Sequence, residues 1–325
     1  MFAIVEPAPL FDTLTKTLPD PEQQKKAAEA KKSLESLDCL VFQVSANPKM
    51  THFDGAAVFT PGSPGFAKLP KIFPAKFIKG AAICPAEMPA FAGLIRPPDL
   101  AAAMADAQRD AMNAQFQTLK GMLQAQTGLA YDTDVAPWWG GELDLMLTLP
   151  EQGMPELAIL FDSLDNKASQ ETVAKMVKHL KFAQNREFDE KKIGKYTVSV
   201  VRPMPQQQQQ LPINPSVCAL DSFLVIGTGP SVVETIAQAD KKLAENRSYK
   251  ALEGTHNVER MAFSLFVKSE LFVKAKAMGT QQPGTPVDNS VQRFADQVES
   301  LLVGLGSPDQ ETVRLSVIFN AKGVK

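Results

Sequence analysis

Short apolar runs alternate with helical patterns along the chain. Each run ends at a Pro, Ser or Gly corner, which is typical of a strand, and apolar positions at a period of about 3.6 follow it, which is typical of a helix. The pattern recurs at residues 2–11, 79–91, 156–165, 223–236 and 261–272. We therefore predict a strand in each of these stretches, with helices at about 168–182 and about 231–244 after the third and the fourth.

Two stretches of the chain resemble each other. FAIVEPAPLF (2–11) aligns with FSLFVKSELF (263–272), and FDGAAVFTPG (53–62) aligns with VRLSVIFNAKG (313–323). Each stretch has the order strand, helix, strand, strand, so we predict two copies of one module. The predicted organisation is an N-terminal module (1–62), a linker loop (63–78), a central segment (79–258) and a C-terminal module (259–325) that repeats the first.

Tight turns between neighbouring strand patterns favour antiparallel pairing. Gly194 predicts one hairpin, and the Asp221-Ser222 pair predicts another. The glutamine tract 206–210 lies among prolines and predicts a surface loop, because it cannot build a core. The predicted fold class is α+β: antiparallel, twisted sheets with helices packed on one face, built from repeated strand–helix–strand–strand modules.

The longest predicted helix covers 96–129. Pro97 and Pro98 suit its first turn, and Gly128 ends it. One stripe carries its apolar residues: Leu100, Met104, Met112, Phe116, Leu119 and Leu123. A stripe rich in Met can be a binding face, but this spacing favours packing against the core.

Both tryptophans of the chain lie in DTDVAPWWGGELDLML, residues 132–147. Residues 132–134 are helix-capping types, so we predict a one-turn helix that the Gly140-Gly141 pair ends. A half-buried strand follows, since leucines alternate with other residues. We interpret the stretch as a helix-to-strand corner with one indole buried and a positive φ at one of the two glycines. The alternative is an aromatic platform for a sugar or a base, which makes Trp138 and Trp139 candidate ligand contacts.

The bulk composition excludes some classes of function. The chain has 325 residues, 44% of them hydrophobic, and a formal charge of −2, so it offers no basic face for nucleic acid. It contains no apolar run of about 18 residues that would predict a transmembrane segment. Cys39, Cys84 and Cys218 each lie in an apolar run and read as buried thiols, although one bridge plus one free thiol stays open.

No motif for metal, cofactor or catalytic chemistry emerges from the residues. GTGPS (227–231) lacks the Lys-Ser/Thr of a phosphate loop, and we predict instead that Ser231 and Glu234 form a helix capping box. Ser231 stays a candidate ligand contact, because a helix N-terminus can hold an anion. The carboxylates of Asp132 and Asp134 suit capping better than metal binding. Three scattered histidines, His52, His179 and His256, argue against a zinc site, and the lysines around His179 indicate a solvated helix face.

The order of several segments resembles a bacterial family, DUF3352. These segments are LKGMLQAQTGLAYDTDVAPWWGGELDLML (119–147), ELAILFDSLDN (156–166), FDEKKIGKYTVSVVRP (188–203), ALDSFLVIGTGPSVVETI (219–236) and NRSYKALEG (246–254). The resemblance implies an exported protein without an assigned activity or cofactor, and it carries over no catalytic residues. The sequence itself shows no signal peptide at its start.

Taken together, these observations predict a non-enzymatic extracytoplasmic protein of the cell envelope. We expect it to bind a partner protein or an apolar ligand between its helices and sheets. One alternative is a hydrolase of envelope material with dispersed catalytic residues, which requires polar groups that converge in one pocket. Another is a structural spacer, which predicts a flat surface without a pocket.

Overall fold

The computed structural model describes residues 1–6, 9, 13, 17, 20–25, 37–60, 78–96, 106–149, 155–203, 214–253, 261–279, 290–307 and 312–322. The chain divides into two compact units. The terminal unit comprises 1–77, 95–105 and 247–325, and the central unit comprises 78–94 and 106–246. Every residue of the candidate site described below belongs to the central unit.

The described residues form a mixed fold in which the strand pairs are antiparallel. The strands are β1 (Phe2–Val5), β2 (Leu37–Asn47), β3 (Met50–Phe59), β4 (Ala90–Ile95), β5 (Trp139–Thr148), β6 (Glu156–Ser163), β7 (Phe188–Ile193), β8 (Tyr196–Val201), β9 (Ser216–Ala219), β10 (Phe223–Gly227), β11 (Met261–Lys268), β12 (Val298–Gly306) and β13 (Thr312–Ala321). The α-helices are α1 (Asp106–Thr127), α2 (Asn166–Ala183), α3 (Pro230–Gln238), α4 (Arg247–Glu253), α5 (Glu270–Gly279) and α6 (Ser290–Gln297). Among these residues, no helix is both long and apolar enough to cross a membrane.

In the terminal unit the strands lie in the order β1-β2-β3-β13-β12-β11. The hairpin β2-β3 from the start of the chain meets the hairpin β12-β13 from its end, because β3 pairs with β13 from Val58↔Thr312 to Met50↔Asn320. Strands therefore occur at matching places in both predicted modules. Most of the first module's predicted helix lies outside the described residues, so the repeat and the four-part organisation stay predictions.

In the central unit the strands lie in the order β4-β5-β6-β10-β9-β8-β7. The hairpins predicted at Gly194 and at Asp221-Ser222 join β7 to β8 and β9 to β10. Leu224 of β10 packs in a cluster with Met176 of α2, whereas a Cβ on Gly227 would meet Val232 of α3. Residues three apart on a strand point to opposite faces, so helices cover both faces here and the expectation of one covered face is not confirmed.

Several element boundaries differ from the sequence prediction. The stretch 79–91 is not a strand: Lys79–Ala82 form a 3-10 turn, and the strand begins only at Ala90. Pro85 and Pro89 interrupt this stretch, and prolines cannot donate to a strand ladder. The helix predicted at 231–244 ends at Gln238, and a 3-10 turn, Leu243–Glu245, follows. The glutamine tract and the predicted first turn of the longest helix lie outside the described residues.

The three cysteines carry no disulfide. Cys84 and Cys218 are buried, and Cys39 is half-buried. Burial raises the pKa of Cys218 to about 11 and the pKa of Cys84 well above its ordinary value. A thiol with a raised pKa is a poor nucleophile at neutral pH, so the two buried cysteines behave as core residues.

Gly128 ends α1, as the sequence predicts, with φ +71°. A Cβ at this position would overlap the ring of His179, which is half-buried on α2 and does not lie on a solvated face. We expect Gly128→Ala to lower the free energy of unfolding by more than about 1 kcal/mol, since an L-residue pays about that much in the left-handed region alone. Urea denaturation measures the loss. The matched control is Gly121→Ala within α1, where a Cβ meets no atom; it should stabilise the protein by about 0.5–1 kcal/mol.

Candidate functional site: an apolar pocket beneath α1

A pocket of about 350 Å³ lies between α1 and one face of the central sheet. Phe116, Leu119 and Leu123 of α1 form one wall, and Leu143 of β5 and Phe161 of β6 form the facing wall. Three residues of the predicted stripe therefore face the sheet across a cavity, whereas Leu100 and Met104 lie outside the described residues. The walls expose almost no polar surface.

Trp138 forms the floor of this pocket and is only 3% exposed. Its ring packs in a cluster of buried residues: Leu129, Met176, Val217 and Leu224. The indole N–H donates to the carbonyl oxygen of Asp134 at 2.7 Å and to the hydroxyl of Thr172 at 2.9 Å. This indole is thus a core residue, as the corner interpretation predicts.

Trp139 is half-buried and continues the wall with other aromatic rings. Its ring lies edge-to-face with Tyr131, 6.3 Å between centroids, and with Phe161, 6.2 Å between centroids. Tyr131 in turn meets Phe116 edge-to-face at 5.1 Å. The indole N–H of Trp139 donates to the carbonyl oxygen of Glu142 at 2.8 Å. Both candidate tryptophans therefore line the pocket, and each indole N–H has a partner within the protein.

The turn before the tryptophans differs from the predicted helix. Tyr131–Val135 form a turn with π-type hydrogen bonds, and β5 already begins at Trp139. The Asp134 carboxylate accepts from the backbone N–H of Ala130 at 2.7 Å and pairs with Lys175 at 2.6 Å. Gly141 has φ +93°, which confirms the predicted positive φ at the glycine pair.

Ser231 lies away from this pocket and does not act as predicted. The N-cap of α3 is Gly229, with Pro230 in the first turn. Glu156 of β6 replaces the predicted capping box: its carboxylate accepts from the Ser231 hydroxyl and from the backbone N–H of Val232. The Glu234 side chain instead pairs with Lys191 of β7. A carboxylate at a helix N-terminus already satisfies the site that an anion would need.

The opposite face of β5 holds a buried acidic cluster that the sequence analysis missed. Glu142, Asp144 and Asp162 are each at most 2% exposed. Glu142 accepts from the backbone N–H of Gly80 at 2.8 Å, and Asp162 accepts from the backbone N–H of Glu142 at 2.8 Å. Lys79 reaches Asp162 at 3.5 Å. Asp144 has no donor from any other described residue on either oxygen.

Glycines make room for these carboxyl groups. A Cβ on Gly80 or Gly93 would overlap the Asp144 carboxyl, and a Cβ on Gly140 would overlap that of Asp162. The cluster is thus enclosed by backbone. In such an enclosed place, desolvation raises the pKa of Asp144 well above its ordinary value, and the Glu142 charge raises it further. Desolvation also raises the pKa of Glu142.

Burial and mutual repulsion favour the protonated forms of Asp144 and Glu142. Two carboxyl groups held together in a low-dielectric place oppose each other's ionisation, so the pKa of Asp144 and the pKa of Glu142 both lie above their ordinary values. Within the described ranges, no group of three or more His, Cys, Asp or Glu side chains is placed to hold a metal ion.

Comparison with known proteins places the chain in a family. The family described as "Protein of unknown function (DUF3352)" matches residues 78–322, which is more than half of the sequence. The chain belongs to DUF3352. The matched residues include the whole pocket beneath α1 and the acidic cluster on the other face of β5 in this chain.

Among solved structures, a crystal form of TP0453 has 8% sequence identity and a TM-score of 0.31, with coverage of 76% of this chain and 80% of that chain. No curated protein matches the chain.

Proposed function

We propose that this DUF3352 protein is a non-enzymatic envelope protein that binds an apolar ligand in the pocket beneath α1. The pocket itself supports the proposal. Its volume of about 350 Å³ falls within the range of small-molecule sites, about 300–1,000 Å³. Aromatic and aliphatic side chains of α1 and of the sheet form its walls, which is the common composition of such sites.

The polar groups in the walls favour an apolar occupant. Both indole N–H groups donate to groups within the protein. The Thr127 hydroxyl donates to the carbonyl oxygen of Leu123, and the Thr172 hydroxyl donates to the carbonyl oxygen of Asp134. A hydrocarbon group that enters would leave no polar group without a partner, which would otherwise cost binding energy. Each Å² of apolar surface that it buries contributes roughly 25 cal/mol.

The mouth of the pocket lies along α1. Leu119 lines the pocket and is nevertheless 60% exposed, so the cavity reaches solvent beside it. Met122, on the same helix, is 56% exposed. Exposed apolar residues beside a cavity mark a path that a hydrophobic ligand can follow.

This site supports binding over the alternatives. A hydrolase needs polar groups that converge and are free to act, whereas the polar groups of this pocket bond within the protein. A spacer needs no pocket at all. Placement outside the cytoplasm is part of the proposal and rests on the family resemblance; fractionation of cells that express the natural gene tests it.

Filling the pocket should abolish binding. We expect Leu143→Trp to lower the affinity for decanol by at least about tenfold, because the new ring occupies the space that the ligand needs. Leu145→Trp is the matched control: it lies two residues further along the same face of β5 and does not line the pocket. Calorimetric titration measures both. Equal affinity in the two variants, or no binding of decanol to the unaltered protein, would refute the proposal.

A further inference from the structure

We propose that the ligand is a single-chain amphiphile with an anionic head group, which Lys120 binds at the mouth of the pocket. The inference rests on the proposed function and names the class of ligand. The apolar chain lies between α1 and the sheet, and the head group lies beside the exposed Leu119.

Lys120 stands where the pocket meets solvent. It lines the cavity, and its ammonium group lies 4.9 Å from the ring centroid of Phe116 and 5.1 Å from that of Tyr131. These two rings belong to the wall that the chain would contact. The lysine side chain is 19% exposed, so it is held in place and still reaches water. Among the described lining residues, it is the one charged side chain.

A carboxylate already occupies the position of the proposed head group. Asp132 accepts from the Lys120 ammonium group at 2.7 Å and 2.9 Å. The Asp132 side chain is 72% exposed, so it can release the lysine to a competing anion and remain solvated. An ion pair to such an exposed carboxylate contributes little, so its release costs little, whereas a head group anchored by a buried chain keeps its bond to Lys120. Burial of the chain adds to the driving force.

A second ion pair joins a lysine to the same turn, Tyr131–Val135. Lys175 of α2 bonds to Asp134, whose carboxylate also accepts from the backbone of Ala130. Lys175 does not line the pocket. It is therefore a matched control for Lys120, because it also pairs with an aspartate of the same turn.

Three decyl probes at neutral pH test the head-group preference: decanoate, decanol and decyltrimethylammonium. We expect the unaltered protein to bind decanoate most tightly and the cation most weakly. Lys120→Met should lower the affinity for decanoate by about tenfold, in line with loss of one charge-assisted hydrogen bond, and leave decanol binding unchanged. Asp132→Asn should raise decanoate affinity, since the competing carboxylate is gone. Lys175→Met should alter neither affinity. Lys120→Arg keeps the charge and should keep the preference, even if Lys120→Met is too unstable to titrate.

The outcomes separate this inference from the proposed function. If decanol and decanoate bind equally, or if Lys120→Met weakens both alike, the pocket binds apolar ligands but the anionic class is wrong. If no probe binds, both proposals fail. Comparison of octanoate with decanoate adds a check on the chain, because each added methylene should raise the affinity roughly fourfold while the pocket has room.

Discussion

Replacing Trp138 with alanine should lower the free energy of unfolding by about 3–5 kcal/mol, the range for buried large-to-small changes. The indole is 3% exposed and packs against Leu129 and Met176. The variant also removes the donor that Asp134 and Thr172 share, so a buried hydroxyl loses one partner. Guanidinium denaturation followed by circular dichroism measures the loss, since the signal does not depend on the deleted ring.

Two further variants make this expectation specific. Trp138→Phe keeps most of the ring and removes the N–H, so it should cost less than the alanine variant. Phe182→Ala removes a ring that is 81% exposed and should change stability by less than about 0.5 kcal/mol. A loss below about 1 kcal/mol for Trp138→Ala would show that this corner is not part of the core.

The local rules of sequence reading predicted much of the central unit. Gly194 and the Asp221-Ser222 pair gave correct hairpins because a two-residue turn is encoded by its own residues. The predicted helix end at Gly128 and the predicted positive φ in the Gly140-Gly141 pair are correct for the same reason, because a positive φ is set by the local backbone. Features that depend on a single turn of the chain can therefore be predicted from the sequence alone.

Features that depend on contacts between distant segments could not be predicted from the sequence. The alternation along β5 predicted a half-buried strand but not which side chains are buried: Asp144 and Met146 are 0% exposed, and Leu145 is 38% exposed. The burial of Asp144 depends on Gly80 and Gly93, which approach from other parts of the chain. The pattern of a carboxylate on either side of Leu143 was visible in the sequence, but nothing local distinguishes it from a solvated strand edge.

Ser231 illustrates the same limit. A Ser and a Glu at capping-box spacing predicted a local cap, whereas Glu156 from another strand bonds to the helix end. The Glu156 carboxylate takes the place of the predicted capping box, and the Glu234 side chain pairs with Lys191 instead. Local capping patterns thus predict that a helix begins, but not which side chain satisfies its first N–H groups.

One strand connects the pocket with the acidic cluster. Leu143 lines the pocket, while its neighbours Glu142 and Asp144 point to the opposite side. The backbone of Glu142 also joins the two, because its carbonyl accepts from Trp139 and its N–H donates to Asp162.

The raised pKa values of Asp144 and Glu142 should make the protein less stable as the pH rises. The pKa values of Asp144 and Glu142 are raised in the folded protein, chiefly by desolvation, so the folded chain holds protons that the unfolded chain releases. Their contribution to stability is complete below the unfolded values, about 3.9 for Asp and about 4.3 for Glu, and is lost as the pH rises through the folded values. The Cys84 thiol, with a pKa raised by burial, adds a loss of the same sign at alkaline pH.

Asp144→Asn isolates this effect, because the amide has nearly the same shape as the carboxyl group and does not ionise. We expect the variant to gain stability relative to the unaltered protein as the pH rises from about 4, where the two proteins differ least. Asp189→Asn is a control of opposite sign. The hydrogen bond from Arg202 lowers the pKa of Asp189, so this variant should lose stability relative to the unaltered protein as the pH rises. Thermal melting of the three proteins from acid to mildly alkaline pH measures the differences. A melting temperature of Asp144→Asn that runs parallel to that of the unaltered protein over this range would show that folding does not raise the pKa of Asp144.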